Sequence, residues 1–410
     1  MRRLRVLFVD DDPNILSGLR RTLRAERGNW EMEFVERAEQ ALERLAAESF
    51  DVVVSDMRMP GMDGAQLLAN VRDLYPECTR IILSGHSDQE MILRSVGVAH
   101  QFLAKPCDPE ELKEAIRRTE HVRRMVHREE IQRLVAKAQR LPSRPDLFTA
   151  LMEELRNPKA SLQRIGEIIS SDPVMTAQIL RIVNSAFFGL INDVSNPAQA
   201  VNLLGLSTVT SLVLTVHVFQ EAAGDLLERV GLDFLWQHSL RCGIFARELA
   251  THEQLPGHLR DEIFTAGLLH DVGRLVLATN FPGEYEQLVH DAGDRSVTEA
   301  ERESFGAGHP EVGAYLLGIW GLPNSIVEAV AWHDAPREAQ RSGFSPVLAV
   351  HVANVFERMF FPRDEPFEAP RLDLDLLREL GLADRLEAWR DACRKKLGEH
   401  ETPEPMESPA

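Results

Sequence analysis

Five short apolar runs, at residues 4–9, 32–35, 51–55, 80–84 and 101–104, alternate with segments whose apolar residues recur at the helical period, at 14–26, 38–48, 64–74 and 88–96. Near-continuous apolar runs of strand length, separated by amphipathic helices, predict strands buried on both faces. The expected fold is a doubly wound α/β domain with a five-stranded parallel sheet. From Asp108-Pro-Glu-Glu, with proline at the first helical position, one charged helix is expected to about Gln139, striped with apolar positions 112, 116, 119, 122, 126, 131, 134 and 138. A connector surrounded by water needs no such stripe. It packs on the first domain, on the second, or on its twin in a homodimer, and the irregular steps argue against a strict heptad coiled coil. Leu141-Pro-Ser-Arg-Pro145 ends it.

From 146 to about 360 the helical pattern continues, punctuated by turn signals at Asn157-Pro158, Asp172-Pro173, Asn196-Pro197, Pro256-Gly257, Pro282-Gly283 and Leu322-Pro323. No alternating strand run of useful length appears, so an all-α domain of ten or more helices is expected over 141–362. A charge-free run, Val201–Phe219, carries Asn202, Ser207, Thr208, Thr210, Ser211, Thr215 and His217, and reads as a buried core helix, not a membrane span. The first domain is expected over 1–120, the connector helix over 108–140, and a helical C-terminal extension over 363–398. An acidic, proline-containing tail, 399–410, reads as disordered.

Charge and cysteine content narrow the setting. With 46 basic against 64 acidic side chains the net charge is -18, which repels the nucleic-acid backbone and disfavours a DNA-binding output. Four cysteines, at 78, 107, 242 and 393, show no paired spacing, so neither a disulfide framework nor a thiolate zinc site is indicated. Met1-Arg-Arg-Leu-Arg runs directly into the first strand and leaves no room for a signal peptide, so a cytoplasmic protein is expected.

The candidate chemistry lies at strand ends. Asp10-Asp11-Asp12 closes the first run, Asp56 closes Asp51-Val-Val-Val-Ser-Asp, and Lys105 closes Gln101-Phe-Leu-Ala-Lys before Pro106. In an open parallel sheet these ends converge on one crevice. Clustered carboxylates need a cation among them, and Mg²⁺, which binds through one or two carboxylates plus phosphate oxygens, meets that need. Asp56 then becomes a nucleophile toward phosphorus. In these residues the segment resembles the receiver domain of two-component response regulators, a flavodoxin-like fold. The resemblance implies that Asp10 and Asp11 are the acid pair and Asp56 the phosphoacceptor, with Ser84 and Lys105 contacting the phosphoryl group. It further implies Mg²⁺ on Asp10, Asp11, Asp56 and the Arg58 carbonyl, a Ser84/Phe102 switch, and a sensor histidine kinase as donor.

Histidines recur in the helical region in settings a packed helix does not require: His238 in Trp-Gln-His-Ser, His270-Asp271 in Gly-Leu-Leu-His-Asp-Val-Gly, His309 in Gly-His-Pro-Glu, and His333-Asp334 in Ala-Trp-His-Asp. Imidazole with carboxylate suits Zn, Mn or Fe. The order resembles the HD superfamily of metal-dependent phosphohydrolases, and most closely its HD-related output domain (HDOD) subgroup. Asp172-Pro-Val-Met-Thr-Ala-Gln-Ile-Leu-Arg-Ile-Val-Asn-Ser-Ala186 and Ala198…Leu204-Gly205 also match that subgroup. Two departures count against an enzyme: Asn354 stands where the superfamily has a ligating Asp, and Asp334-Ala-Pro replaces the Gly-Tyr-Pro signature of cyclic-dinucleotide phosphodiesterases. The expectation is a phosphorelay switch acting through the helical domain on a downstream protein. The alternative is a receiver-controlled phosphohydrolase or cyclic-dinucleotide phosphodiesterase with a residual metal site on His238, His270, Asp271, His309, His333, Asp334 and Asn354.

Overall fold

Alternation decides the first domain. Leu7, Val9, Val53, Ile82 and Phe102 point to one side of the sheet, against Ala41, Leu67 and Val71. Val6, Phe8, Val52, Val54, Ile81, Leu83 and Leu103 point to the other, against Leu16, Leu112 and Ile116. Both faces are covered, as a parallel sheet requires. The computed structural model describes residues 3–85, 98–125, 135, 142–143, 145–157, 159–184, 194–214, 220–221, 234–291, 295–340, 342–363 and 367–400.

Strands β1 (Leu4–Val9), β2 (Trp30–Val35), β3 (Val52–Asp56), β4 (Thr79–Gly85) and β5 (Gln101–Lys105) pair in parallel in the order β2-β1-β3-β4-β5. Helices α1 (Pro13–Thr22), α2 (Ala38–Ala47) and α3 (Gly64–Leu74) connect them. Asp12 caps α1 by accepting from the Asn14 N–H, and Asp63 forms a capping box with Gln66 on α3. The helix expected at 88–96 lies outside the described residues.

Helix α4 (Pro109–Met125) resolves the packing of the connector stripe. Leu112 and Ile116 join the core of the first domain, whereas Val122 joins the core of the helical domain. The described stripe therefore packs on both domains; its positions 126, 131, 134 and 138 lie outside the described residues.

The second region runs from α5 (Pro145–Arg156), α6 (Leu162–Ser170), α7 (Pro173–Val183) and α8 (Pro197–Leu214) through α9 (Leu235–His252), α10 (Gly257–Leu269), α11 (Val272–Asn280) and α12 (Pro282–His290). It continues with α13 (Val297–Phe305), α14 (His309–Ile319), α15 (Asn324–Trp332) and α16 (Pro346–Phe360). Two expectations change. The domain is not purely helical, because Pro142–Ser143 pairs in parallel with Gln220–Glu221 as two short strands, β6 and β7. Nor is the apolar run from Val201 one buried helix: Gly205, at φ 75, breaks α8, and Leu203 and Leu206 flanking it are exposed. An apolar count cannot see a left-handed glycine inside it. Residues 215–219 of that run lie outside the described residues.

The extension folds as α17 (Leu374–Glu379) and α18 (Leu386–His400). Trp389 is fully buried and donates its indole N–H to Glu253. The tail from 401 lies outside the described residues.

Candidate functional site

Register aligns the tips of the sheet. Val9 pairs with Ser55, Asp56 with Leu83, Ser84 with Ala104 and Gly85 with Lys105, so the ends of β1, β3, β4 and β5 stand side by side. The Lys105 ammonium lies 2.6 Å from an Asp56 oxygen and 2.6 Å from an Asp10 oxygen. Carboxylate oxygens of Asp10, Asp11 and Asp56 lie within 4.8 Å of one another. Burial raises the Asp56 pKa from its ordinary value, against the pull of Lys105. Burial also works against the charge on Lys105, but the two carboxylates outweigh it and hold the ammonium protonated.

Ser84 is buried beside this cluster, and its hydroxyl has no hydrogen-bond partner among the described residues. Buried hydroxyls normally find one, so this hydroxyl at the strand tips is available, among the described residues, to donate to an incoming oxygen. Phe102 is buried on β5, opposite Ile82 two residues before Ser84. Arg58 is exposed in the turn after β3.

A second centre lies in the helical domain. His238 comes from α9, His270 and Asp271 from the α10–α11 junction, His309 opens α14, and His333 and Asp334 follow α15. The approach of α11 to α14 depends on Gly273, where a Cβ would stand 2.1 Å from the His309 carbonyl oxygen. Gly273→Ala is expected to destabilise the fold by about 1–3 kcal/mol, since backbone must move to make room, and thermal unfolding would show it.

The imidazoles share one hollow. Nε2 of His309 lies 3.1 Å from Asp271 Oδ1, with Nε2 of His270 at 3.6 Å and of His333 at 3.9 Å from the same oxygen. Nε2 of His238 lies 3.6 Å from Asp271 Oδ2. Asp334 adds a second carboxylate, 3.4 Å from His333 and 3.8 Å from His309. Asp271 is held well below the usual carboxylate range: burial opposes its charge, and His270, His309 and Arg274 overcome it.

Each ring is turned by its other nitrogen. Nδ1 of His238 meets Glu357 at 2.6 Å and Nδ1 of His309 meets Glu301 at 2.7 Å. His270 and His333 donate Nδ1–H to the carbonyls of Gly267 and Val330. A carbonyl only accepts, so in their neutral form these two rings present a bare Nε2. The bare atoms face His238 Nε2 at 3.2 Å and His309 Nε2 at 3.3 Å. Lone pairs this close need a proton or a metal ion between them. His270 is kept neutral, its pKa pushed down to about 3 by burial, while His309, despite burial, is raised to about 10 by Glu301 and Asp271. Outer carboxylates and carbonyls that orient imidazoles in this way are the usual surroundings of a metal centre.

Of the residues expected from the sequence, Asp10, Asp11, Asp56, Ser84 and Lys105 meet at the sheet edge, and His238, His270, Asp271, His309, His333 and Asp334 meet in the helical domain. Asn354 lines the adjoining cavity of about 360 Å³ together with Arg274, Arg358 and Arg363. The sequence reading missed Glu357, Glu301 and Arg363. Arg363 reaches both Glu357 and His238, at 2.6 and 3.0 Å. Glu357 left one signal, a lone carboxylate three residues after Asn354 in an apolar helix. Glu301 sits in the charge run Glu-Ala-Glu-Arg-Glu and left none.

Both domains match known families. Residues 6–117 match the response regulator receiver domain, and residues 141–336 match the HDOD domain. An uncharacterised protein of Treponema pallidum is 27% identical over 248 residues, covering 58% of this chain and 46% of that protein. The C4-dicarboxylate transport transcriptional regulatory protein DctD of Pseudomonas aeruginosa is 29% identical over 237 residues, covering 55% of this chain and 49% of its own. The chain thus spans about half the length of these relatives. Among solved structures, the MmoQ response regulator of Methylococcus capsulatus is 27% identical, with 61% of this chain and 97% of that chain covered and a TM-score of 0.45. Among the described residues no helix is long and apolar enough to cross a membrane.

Proposed function

Because the chain belongs to the response regulators that join a receiver domain to an HDOD domain, we propose that Asp56 accepts a phosphoryl group from a sensor histidine kinase and that the helical domain passes this state to a downstream protein. The observation that carries the residue assignment is the Asp56–Lys105–Asp10 cluster at the strand tips, next to the buried Ser84 hydroxyl, which has no partner among the described residues. An Asp56 oxygen attacks phosphorus, the P–N bond of the donor phosphohistidine breaks, and its electron pair leaves with the imidazole. Lys105, already within 2.6 Å of Asp56, neutralises charge on the phosphoryl oxygens, and Ser84 donates its hydroxyl to one of them. The grouping of Asp10, Asp11 and Asp56 fits Mg²⁺, which when bound neutralises phosphoryl charge, with the Arg58 carbonyl as a further ligand. Phosphoryl uptake from a small donor, followed by intact mass, tests the assignment.

The convergence of four Nε2 atoms on Asp271 favours a second reading for the helical domain, a centre for Zn, Mn or Fe. His238, His270 and Asp271 form one half of its ligand set, and Asp271, His309, His333 and Asp334 the other. Asn354, an uncharged amide in the cavity wall, leaves the set one carboxylate short of a hydrolase of the HD type. Turnover of cyclic dinucleotides that is lost in His270→Ala would make this a receiver-controlled phosphodiesterase. Binding to Nε2 must displace the proton on His309, so metal affinity is expected to rise with pH up to about 10, where that proton is already gone, and calorimetry in buffers of different ionisation heat would register its release.

A further inference from the structure

We propose that helix α14 is the coupling element between the two centres, so that phosphorylation of Asp56 changes the metal affinity of the histidine cluster and metal loading changes phosphoryl uptake. This rests on the metal reading of that cluster. The argument is one of attachment: both ends of the helix are held by functional parts. Its first residue, His309, lies 3.1 Å from Asp271. Its last, Ile319, accepts through its carbonyl from the Gln101 side-chain amide at 3.0 Å, a buried contact across the domain boundary. Gln101 opens β5, and Lys105, which touches Asp56, closes it.

Other contacts converge on the same helix end. Arg118 on α4 donates to the Gly321 carbonyl. Gly318 receives Val122 so closely that a Cβ there would stand 2.1 Å from Val122 Cγ2. Arg181 stacks over Trp320, its guanidinium carbon 4.9 Å from the ring centroid, and donates to the carbonyls of Ala99 and His100 just ahead of β5. Arg123 pairs with Asp51, at the foot of the strand that bears Asp56, and its charge acts on the buried Tyr315 of α14.

An α-helix of this length is a rod of roughly 16 Å, stiff because each turn is bonded to the next. Movement of β5 or α4 is therefore delivered to His309 instead of being absorbed between. Metal ligands tolerate little displacement, since a cation fixes its donor distances. A shift at one end is read at the other as a change in affinity, and linkage makes the effect equal in both directions for the equilibrium extent of phosphorylation, though not for its rate.

The test uses the full chain with Mg²⁺ in excess, so that the receiver pocket is saturated. Zn²⁺ affinity is measured by chelator competition with and without a small phosphodonor, for the wild type and for Gln101→Ala/Arg118→Ala, and hydrogen exchange over 309–319 is followed in parallel. Phosphorylation is expected to shift Zn²⁺ affinity about fivefold or more in the wild type, and less than twofold in the double variant, which still binds Zn²⁺. Zn²⁺ bound with an affinity indifferent to phosphorylation overturns the coupling and leaves the metal reading standing. If no Zn²⁺ binds in either state, the metal reading fails, and hydrogen exchange decides the coupling: protection over 309–319 that changes with phosphorylation supports it, and unchanged protection overturns it.

Discussion

Asp56→Asn is expected to abolish phosphoryl uptake, lowering it by several orders of magnitude, as loss of a nucleophile does. The amide nitrogen has no free electron pair to offer phosphorus, while shape and burial are kept. The variant should remain folded. Burial raises the pKa of Asp56, so the folded state binds its proton more tightly than the unfolded chain, and above the ordinary carboxylate range the ionised group detracts from stability. An uncharged Asn removes that cost, and Lys105 keeps its bond to Asp10. The melting temperature of Asp56→Asn should therefore equal or exceed that of the wild type. Lys105→Ala should retain the nucleophile but lose about 100–1,000-fold in rate, the usual cost of removing one charge-stabilising donor. Equal mass gain by Asp56→Asn and wild type would remove the assignment of Asp56.

Metal should stabilise the helical domain strongly. A cation present at a hundred times its dissociation constant adds about 2.7 kcal/mol, which for a domain of this size is roughly 5–10 °C in melting temperature. Mg²⁺ is held constant so that the receiver contributes nothing to the difference. His270→Ala should erase the shift, because it removes a bare Nε2 whose ring is already fixed by the Gly267 carbonyl. Asp271→Asn should erase it too, since Asp271 is the carboxylate common to both halves of the ligand set. Its effect on the metal-free protein has a defined sign: the Asp271 pKa is lowered on folding, so its contribution to stability is present above the ordinary carboxylate range and lost as pH falls below it. A wild-type melting curve that neither Zn²⁺ nor a chelator moves would count decisively against a metal at these histidines.

Particular residues mark how far the sequence could be read. The five strands and α3 fell where the apolar runs placed them: β1 and β3, buried on both faces, leave a nearly unbroken signature, while the edge strand β2, interrupted by Glu31 and Glu33, begins two residues before its apolar run. Asp10, Asp56 and Lys105 were legible because each closes such a run, and strand ends meet in a parallel sheet whatever the loops do. The histidines were legible by order, from short signatures such as Gly-Leu-Leu-His-Asp-Val-Gly. What turns them was less so: Glu301 looks like a solvated helix charge and Glu357 shows only as a lone carboxylate in an apolar helix, and it is the packing of α13 against α14 and of α9 against α16 that buries them.

Local patterning by itself determined the parallel sheet, the helical second domain and the placement of Asp10, Asp56 and Lys105 at strand ends. These follow from periodicity and from where charges interrupt it, which are properties of neighbours in the chain. Tertiary structure alone decided that four imidazoles aim their Nε2 atoms at one aspartate, that the Ser84 hydroxyl is unpaired among the described residues, and that α14 is held at both ends. Those depend on contacts between residues far apart in the chain, such as Gln101 with Ile319 and His238 with Glu357, and no local pattern encodes a distance across a folded core.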